Sequence, residues 1–541
     1  MTGNPTRFVL IMFFSLIAFV KSMPAAETGA TITGIVKTAS GQPAPGAMVS
    51  LRNAERRVTV TVVSKEKGLY KAANLVPGNY TVQALGGGFQ STPSPAIEVT
   101  GGQTSKVDAT LSTPQDFRKA MTSAQVAELL PEPKEKALMV LSYCSDCHKA
   151  GLLNIFFARK DKKGWSETIQ KMRNKPYGFY ASLEFSDQLR DETADYLAQH
   201  FGPNVPPPDT KKYLPKTWVQ DRQARRGRVV EFDLVEGAAP HDIAVDSQGI
   251  AWVSEQRFEK QNGVIGRLDP NTWTYTEIRL PGEKASPSGI AVDQQDRVWM
   301  TDTANTRLVQ YDPKTRNFTM YPLRRPGNAA MIRFLSNGMV WLTNIGADLV
   351  VAVDPNTKET SEYPMPFPRA DHMRVQPYGM AIDGNEMVWF AEFGNGKMGK
   401  LDPKTGKITE YDLPTGFLAK ARRMGSDANG DVWVGESGDV GKLAKIDHKT
   451  MKITEYATPT KYSGPYSAEA DKKHNFIWVS EWMADKLARF DPKTKTFVEF
   501  PLPTHFGKPN RIEVDPTKPN RVWFNGDLSD KAGYLDVMDE P

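Results

Sequence analysis

Cys144 and Cys147 stand three apart, and His148 follows directly, in Tyr143-Cys144-Ser145-Asp146-Cys147-His148. Two thiols at this spacing can each bond a vinyl group of one haem, which holds the adjacent imidazole at the iron as proximal ligand. The chain has only two cysteines and this motif uses both, so a disulfide framework is excluded. A zinc site would need two further ligands nearby, and a redox dithiol would want a βαβ setting that the surrounding sequence lacks. The expected cofactor is therefore one covalent haem c. The residues after Cys147 that could reach the other face of the iron are Met172 and His200. A thioether raises the reduction potential relative to bis-histidine ligation, which suits an electron acceptor. Phe156, Phe157 and Trp165 either surround the haem or form ordinary core.

A second set of candidate residues recurs along the chain. Seven tryptophans stand at 252, 299, 341, 389, 433, 478 and 523, at intervals of 47, 42, 48, 44, 45 and 45. A period near 45 with four short strands per unit is the pattern of a seven-bladed β-propeller over 228–541. A D-P-[KN]-T type turn repeats at Asp269, Asp312, Asp354, Asp402 and Asp491, with a variant at Asp447. The seventh unit lacks its fourth strand, and Arg228–Leu234 has the sequence to supply it and so remove a free sheet edge. At the start of each inner strand stand His241, Ser288, Ala330, Tyr378, Arg422, Tyr466 and Asn510. Three residues after the tryptophan stand Glu255, Asp302, Asn344, Glu392, Glu436 and Glu481. One face of the ring is thus expected to gather polar groups, a reasonable place for a ligand. A residue repeated in every blade more often satisfies hydrogen bonds of the blade. His372, His448, His474 and His505 read as loop residues.

The elements that must carry these residues follow along the chain. Residues 1–26 hold Arg7, an apolar run over 8–20 and small residues at Pro24-Ala25-Ala26, a cleavable export signal, with a retained N-terminal anchor as the alternative. Residues 30–112 alternate apolar and polar, broken by turns such as Pro77-Gly78, and read as a small β-sandwich. Residues 115–202 switch to helical patterns, with Ser186 and Asp187 as candidate caps of the last helix and Phe201-Gly202 at its end. Residues 203–227 are proline-rich and basic, a linker. Three or so domains suit 541 residues, and 40% hydrophobic with 24% charged is ordinary globular composition. A net charge of +5 from 68 basic and 63 acidic residues gives no support to nucleic-acid binding. No stretch after the signal is apolar enough to span a membrane, so the mature chain is expected to be periplasmic or secreted, without an integral membrane segment.

Three resemblances add to this reading. G-x-V, G-x-P-x-x-G-A-x-V, G-x-Y and L-x-P-G-x-Y-T-V fall in order within 30–112, which resembles the carboxypeptidase regulatory-like domain, a transthyretin-like sandwich that implies a binding or spacer module. The segment from Trp165 to Met172, W-x(6)-M, followed by a last helix containing Tyr196-Leu197, resembles small bacterial cytochrome c domains in which that methionine is the distal ligand. Pro240-His241-Asp242-Ile243-Ala244-Val245-Asp246, followed by Trp252-Val253-Ser254-Glu255, resembles the virginiamycin B lyase (streptogramin lyase) family. That family has a seven-bladed propeller and opens a cyclic depsipeptide by elimination with a histidine base and glutamate-bound magnesium. The resemblance implies His241 as base and Glu255 as a metal-site residue. The family's second metal-site glutamate corresponds to Ala239, and a second histidine corresponds to Asn510, so half the constellation is missing.

The expected fold is thus multidomain and mainly β: transthyretin-like sandwich, small all-α cytochrome c domain and seven-bladed propeller. The expected function is electron transfer to or from a partner protein or small ligand bound on the propeller face. A magnesium-dependent C–O lyase is the first alternative, and a non-catalytic binding or sensor protein the second.

Overall fold

The computed structural model describes residues 29–116, 120–133, 136, 155, 157–173, 186–206, 218–257, 262–327, 329–366, 374–438 and 441–538. The alternation near the N-terminus produces two facing sheets. Ala30–Thr38 buries Ala30, Ile32 and Val36 on one side, the period of a half-buried strand. It pairs antiparallel with Leu69–Leu75 and parallel with Thr104–Lys106 and Ala109–Leu111. Opposite lies Met48–Asn53, between Val58–Val63 and Gly78–Gly86. Leu51, Val60, Tyr80 and Val82 of this sheet share one core with Ile32, Val36 and Tyr70 of the other.

From Pro240 onward the chain builds six antiparallel four-stranded sheets in strict chain order. The seventh is made of Pro509–Val514, Arg521–Gly526 and Lys531–Val537, and its outer strand is Gly227–Asp233 from far upstream. Each inner strand packs against the next, and Pro509–Val514 packs against Pro240–Val245, which closes a propeller-like ring. The closing strand is bonded on both sides. Val230 sits opposite Tyr534 in the seventh blade and opposite Val60 in the sandwich. The blade and one sandwich sheet thereby become a single ten-stranded sheet. The strand expected only to cap the ring leaves no exposed edge, because the sandwich covers it.

Each motif tryptophan is buried between sheets, and five of the seven are held by a carboxylate from the preceding turn. Trp252, Trp299, Trp389, Trp433 and Trp523 donate their indole N–H to Asp246, Asp293, Asp383, Asp427 and Asp515 at 2.8–3.2 Å. The other oxygen of each aspartate caps the turn; Asp383, for example, accepts from the Asn385 and Met387 amides at 2.8 and 3.0 Å. Leu335 takes this place in the third blade, and Trp341 Nε1 is buried without a partner. In the sixth, Asp471 accepts instead from His474 Nδ1 at 2.6 Å.

Three α-helices lie among the described residues between sandwich and ring. α1 (Ser123–Glu128) begins with a capping box formed by Thr122 and Gln125. α2 (Lys162–Arg173) has its first turn tied by Asp161, which accepts from the Gly164 amide at 2.8 Å. α3 (Asp187–Phe201) starts at the Ser186 N-cap and ends at Gly202. A self-contained all-α domain, as expected from the sequence, is not what these helices form. Their apolar faces join a core made largely by the propeller. Among the described residues no helix is long and apolar enough to cross a membrane. The expected signal segment lies outside the described residues, and so do residues 207–217 of the expected linker.

Replacing Asp383 by alanine should strand the Trp389 N–H and two turn amides in a buried setting, lowering stability by about 2–4 kcal/mol. A chemical-denaturation midpoint checks this, and an unchanged midpoint would remove the aspartate–tryptophan bolt from the account.

Candidate functional site

Every inner strand carries a register shift close to its start: between Pro240 and Asp242, Pro287 and Ile290, Ala329 and Ile332, Pro377 and Met380, Ala421 and Met424, Pro465 and Ser467, and Pro509 and Ile512. A bulge adds a residue and re-aims its side chain. The ring positions picked out by the repeat, from His241 to Asn510, all fall within these bulges. The repeat therefore gathers them at one end of the channel.

His241 is the best-oriented of them. Its Nδ1 lies 3.1 Å from Asp242 Oδ1 and 3.4 Å from Ser288 Oγ. Asp242 is buried and held by Arg423, with Nη2–Oδ1 at 2.6 Å and Nη1–Oδ2 at 2.8 Å. Burial disfavours the Arg423 charge, yet the Asp242 carboxylate and the Tyr378 and Tyr466 hydroxyls more than offset it and hold its pKa above the ordinary value. The Ser288 hydroxyl shares a hydrogen bond with Nδ1, and the Asp242 carboxylate stands at ion-pair distance from the same nitrogen, which favours a proton there and leaves Nε2 to accept one. Beside it the Tyr378 and Tyr466 hydroxyls hydrogen-bond to one another. Burial pushes the Tyr466 pKa well above its usual value, so the Tyr466 hydroxyl keeps its proton. Arg422 lies against Phe393, Tyr466, Trp482 and Tyr378, its guanidinium carbon 4.6–5.4 Å from their ring centres.

Deeper in the channel, Glu469 bridges Arg333 at 2.8 Å and Arg511 at 2.9 Å, and Arg511 also pairs with Glu513. Arg423 and Arg511 both reach Met331 Sδ. This network fills the axis, so the mouth around His241 is a site rather than one end of an open pore.

The helices cover that mouth. Met121, Ala124, Leu130, Trp165, Tyr196, Leu197 and Phe201 share one buried cluster with Tyr378, Phe393, Tyr466, Trp482 and Met483. The Ala124 amide donates to the Met483 carbonyl at 2.7 Å. Cys144, Cys147 and His148 lie outside the described residues. Met172 is half-buried near the C-terminal end of α2. His200 lies at the other end of the helix pair, because α2 and α3 run antiparallel. Lys162 pairs with Asp195 at 2.8 Å, and Arg190 donates to Gln170 at 3.1 Å. The two candidate distal ligands are therefore separated by about 18 Å of helix, and one iron can take only one of them. Among the described residues His200 Nε2 and Trp165 Nε1 are buried without a hydrogen-bond partner.

Glu255 does not face the site as a free carboxylate. It is fully buried, accepts from the Tyr275 hydroxyl, and pairs with Arg257 at 2.8 Å. Arg257 in turn binds Glu277 at 2.6 Å. A hard cation wants several oxygens. Ala239 and Asn510 do not make up the shortfall, and among the described residues no three His, Cys, Asp or Glu side chains gather to hold a metal. The donor set does not fit magnesium. The other repeated carboxylates also serve their blades. Asp302 holds Arg307, Asn305 and the Ser286 amide, and Glu392 holds Asn395. Glu436 and Glu481 are buried beside the Lys442–Glu455 and Lys486–Glu499 pairs. Of the loop histidines, His448 pairs with Asp431 at 2.8 Å and His474 with Asp471 at 2.6 Å, His505 lies 3.9 Å from Asp485, and His372 lies outside the described residues.

Asp242 and Arg423 were not singled out by the repeat, since each sits one residue beyond a ring position. The available signal was charge: PSGIAV and PYGMAI are uncharged, whereas PHDIAV and ARRMGS place Asp242 and Arg423 at the corresponding third position of two different inner strands.

Burial and the neighbouring Glu455 carboxylate push the Glu436 pKa from 4.5 up to about 8. Glu436 thus holds its proton more tightly in the folded chain. Its contribution to stability is full below the unfolded value of 4.5 and is lost as pH rises through about 8. Glu436→Gln should flatten the fall in denaturation midpoint across that window. Parallel profiles for the two proteins would show that Glu436 is not a buried acid.

The comparisons with known proteins agree with this geometry. Residues 273–540 match the Virginiamycin B lyase family, and residues 31–112 match the carboxypeptidase regulatory-like domain. No curated protein matches the chain. A virginiamycin B lyase from Staphylococcus aureus is 22% identical with a TM-score of 0.51, over 58% of this chain and 100% of that one. A catalytically inactive histidine-to-alanine variant of the same lyase with quinupristin aligns equally. A streptogramin B lyase is 26% identical with a TM-score of 0.51, over 57% of this chain and 97% of that one. Such a propeller supports lyase-like chemistry or ligand binding. The chain thus joins a carboxypeptidase regulatory-like sandwich to a virginiamycin B lyase-like propeller.

Proposed function

We propose that this chain is an exported monohaem protein whose haem-bearing helical layer sits on the ligand-binding mouth of a lyase-like propeller, and that it exchanges electrons with a ligand or partner recognised there. The observation that carries this reading is the shared core. The helices flanking the C-x-x-C-H segment pack directly on Tyr378, Tyr466 and Trp482, which surround the mouth. Cys144 and Cys147 would hold the haem and His148 its iron, with Met172 as distal ligand. The group would supply a one-electron couple. The chain's own residues orient the ligand: His241 through its imidazole beside Asp242, Tyr378 and Tyr466 through their hydroxyls, and Arg422 as a cation on an aromatic wall.

A lyase reading is the second. It is favoured by the Asp242–His241 pair, which gives a base, and by the streptogramin B lyase likeness. Magnesium has no fitting donor set here, so that chemistry would have to proceed without the family's metal site.

The deciding experiment is expression with export and haem-maturation machinery, followed by denaturing gels stained for haem and by reduced-minus-oxidised spectra. The proposal expects covalent haem in the wild type and none in Cys144→Ser/Cys147→Ser. It expects Met172→Ala to lose the low-spin spectrum and His200→Ala to keep it. Absence of covalent haem from correctly exported protein would overturn the proposal. A redox-silent wild type that opens a cyclic depsipeptide, with the activity lost in His241→Ala, would establish the lyase reading instead.

A further inference from the structure

The junction of sandwich and propeller holds a cleft of about 980 Å³ that no part of the function proposed above uses. Its walls come from both modules: the turn 74–77 and Arg56 from the sandwich, and 270–273, 518–521 and 534–538 from the first and seventh blades. Pockets between domains are common ligand sites, because neither module alone must give up core to make them.

The charge of this cleft is one-sided. Arg56, Arg228, Lys518 and Arg521 line it, against Asp536 as the one acid among the lining residues. Two of these cations are deeply buried. Arg521 binds Asp536 with Nε at 2.6 Å and Nη2 at 3.0 Å, and Arg228 Nη1 shares the same carboxylate at 3.3 Å. Asp536 thus serves two guanidiniums, with Asp515 Oδ2 standing 3.9 Å from Arg521 Nη1. Arg228 is 7% exposed, and its Nε has no hydrogen-bond partner among the described residues. Leaving a buried charged donor unsatisfied is costly, which makes an incoming acceptor favourable.

The first blade also breaks its own repeat at this point. The D-P-N-T turn is followed by Trp273, whereas the corresponding residues elsewhere are Arg316, Lys358, Gly406, Met451 and Lys495. Trp273 adopts a left-handed φ of 53°, uncommon for a bulky side chain, and its indole N–H reaches the Tyr534 hydroxyl at 3.4 Å. Arg56 crosses from the sandwich to donate to the Thr272 carbonyl at 3.1 Å, so the same turn is fixed from both sides.

We infer that this cleft is a binding site for a small multivalent oxyanion, carboxylate or phosphate, gripped by Arg56, Arg228 and Lys518 against a wall formed by Trp273 and Tyr534. The site is independent of the channel mouth and of the haem reading.

Titration calorimetry on the full chain at low ionic strength tests it, with citrate and inorganic phosphate as separate probes and sodium chloride as the screening control. The expected result is saturable one-to-one binding of at least one probe, weakened about tenfold or more in Arg56→Glu/Lys518→Glu, whose residues are exposed and outside the core. Citrate binding alone would assign a carboxylate ligand, and phosphate binding alone a phosphate ligand. Arg56→Gln/Lys518→Gln, with unchanged circular dichroism, should weaken binding to a lesser degree. No saturable heat with either probe, or equal affinity in wild type and both variants, would overturn the inference.

Discussion

The hydrogen bonding of Gly227–Asp233 on both of its edges is the constraint on which the rest depends. A ring of sheets must be closed by something, and here the closing strand comes from immediately before the first blade. In an isolated propeller it would expose an unpaired edge to solvent, an invitation to pair with another chain. The sandwich strand Val58–Val63 occupies that edge. Closure and domain docking are therefore one event, and the buried cluster runs without interruption from Ile32 through Phe232 and Tyr534 to Ile243. The sandwich belongs to the propeller structurally, whatever else it binds.

With the ring fixed, the bulges decide what faces the channel. Each blade contributes one re-aimed residue at the mouth, and the blades differ in what they offer. Blade one offers a histidine beside an aspartate, blades four and six offer hydrogen-bonded tyrosines, and blade five offers Arg422 against their rings. The identical features serve stability: aspartate–tryptophan bolts and buried carboxylates beside lysine pairs. The divergent ones meet at the mouth. Function in a repeat protein sits where the repeat is broken, because an invariant position is already committed to holding its own unit.

Much of this was legible in the sequence. The tryptophan period marked the blades, and the pattern at Arg228–Leu234 marked the closing strand, since both are local signals repeated many times. That the carboxylates after the tryptophans serve their own blades was also legible, from their repetition. What could not be read was long-range pairing. Nothing near Val60 says that it faces Val230, and nothing in α1 says that its Ala124 amide meets Met483. Edge strands and helix faces are generic surfaces, and the partner is chosen by the three-dimensional arrangement of the whole. Asp242 and Arg423 escaped because their importance is mutual. Each is an unremarkable charge in sequence, and together they form a buried pair 181 residues apart. The C-x-x-C-H motif, the strongest chemical signal in the chain, belongs to residues outside those described.

The helical layer seals the mouth of the propeller through a shared apolar core. Hydrogen–deuterium exchange on the full-length protein, wild type against Ala124→Glu, tests it most directly. Ala124 is 1% exposed and its amide binds the Met483 carbonyl. A carboxylate buried there without a partner should lift the helices. The account predicts faster exchange over 464–484 and around Tyr378 in the variant, with the outer strand Thr496–Pro501 unchanged. Identical exchange at 464–484 in the two proteins would contradict it.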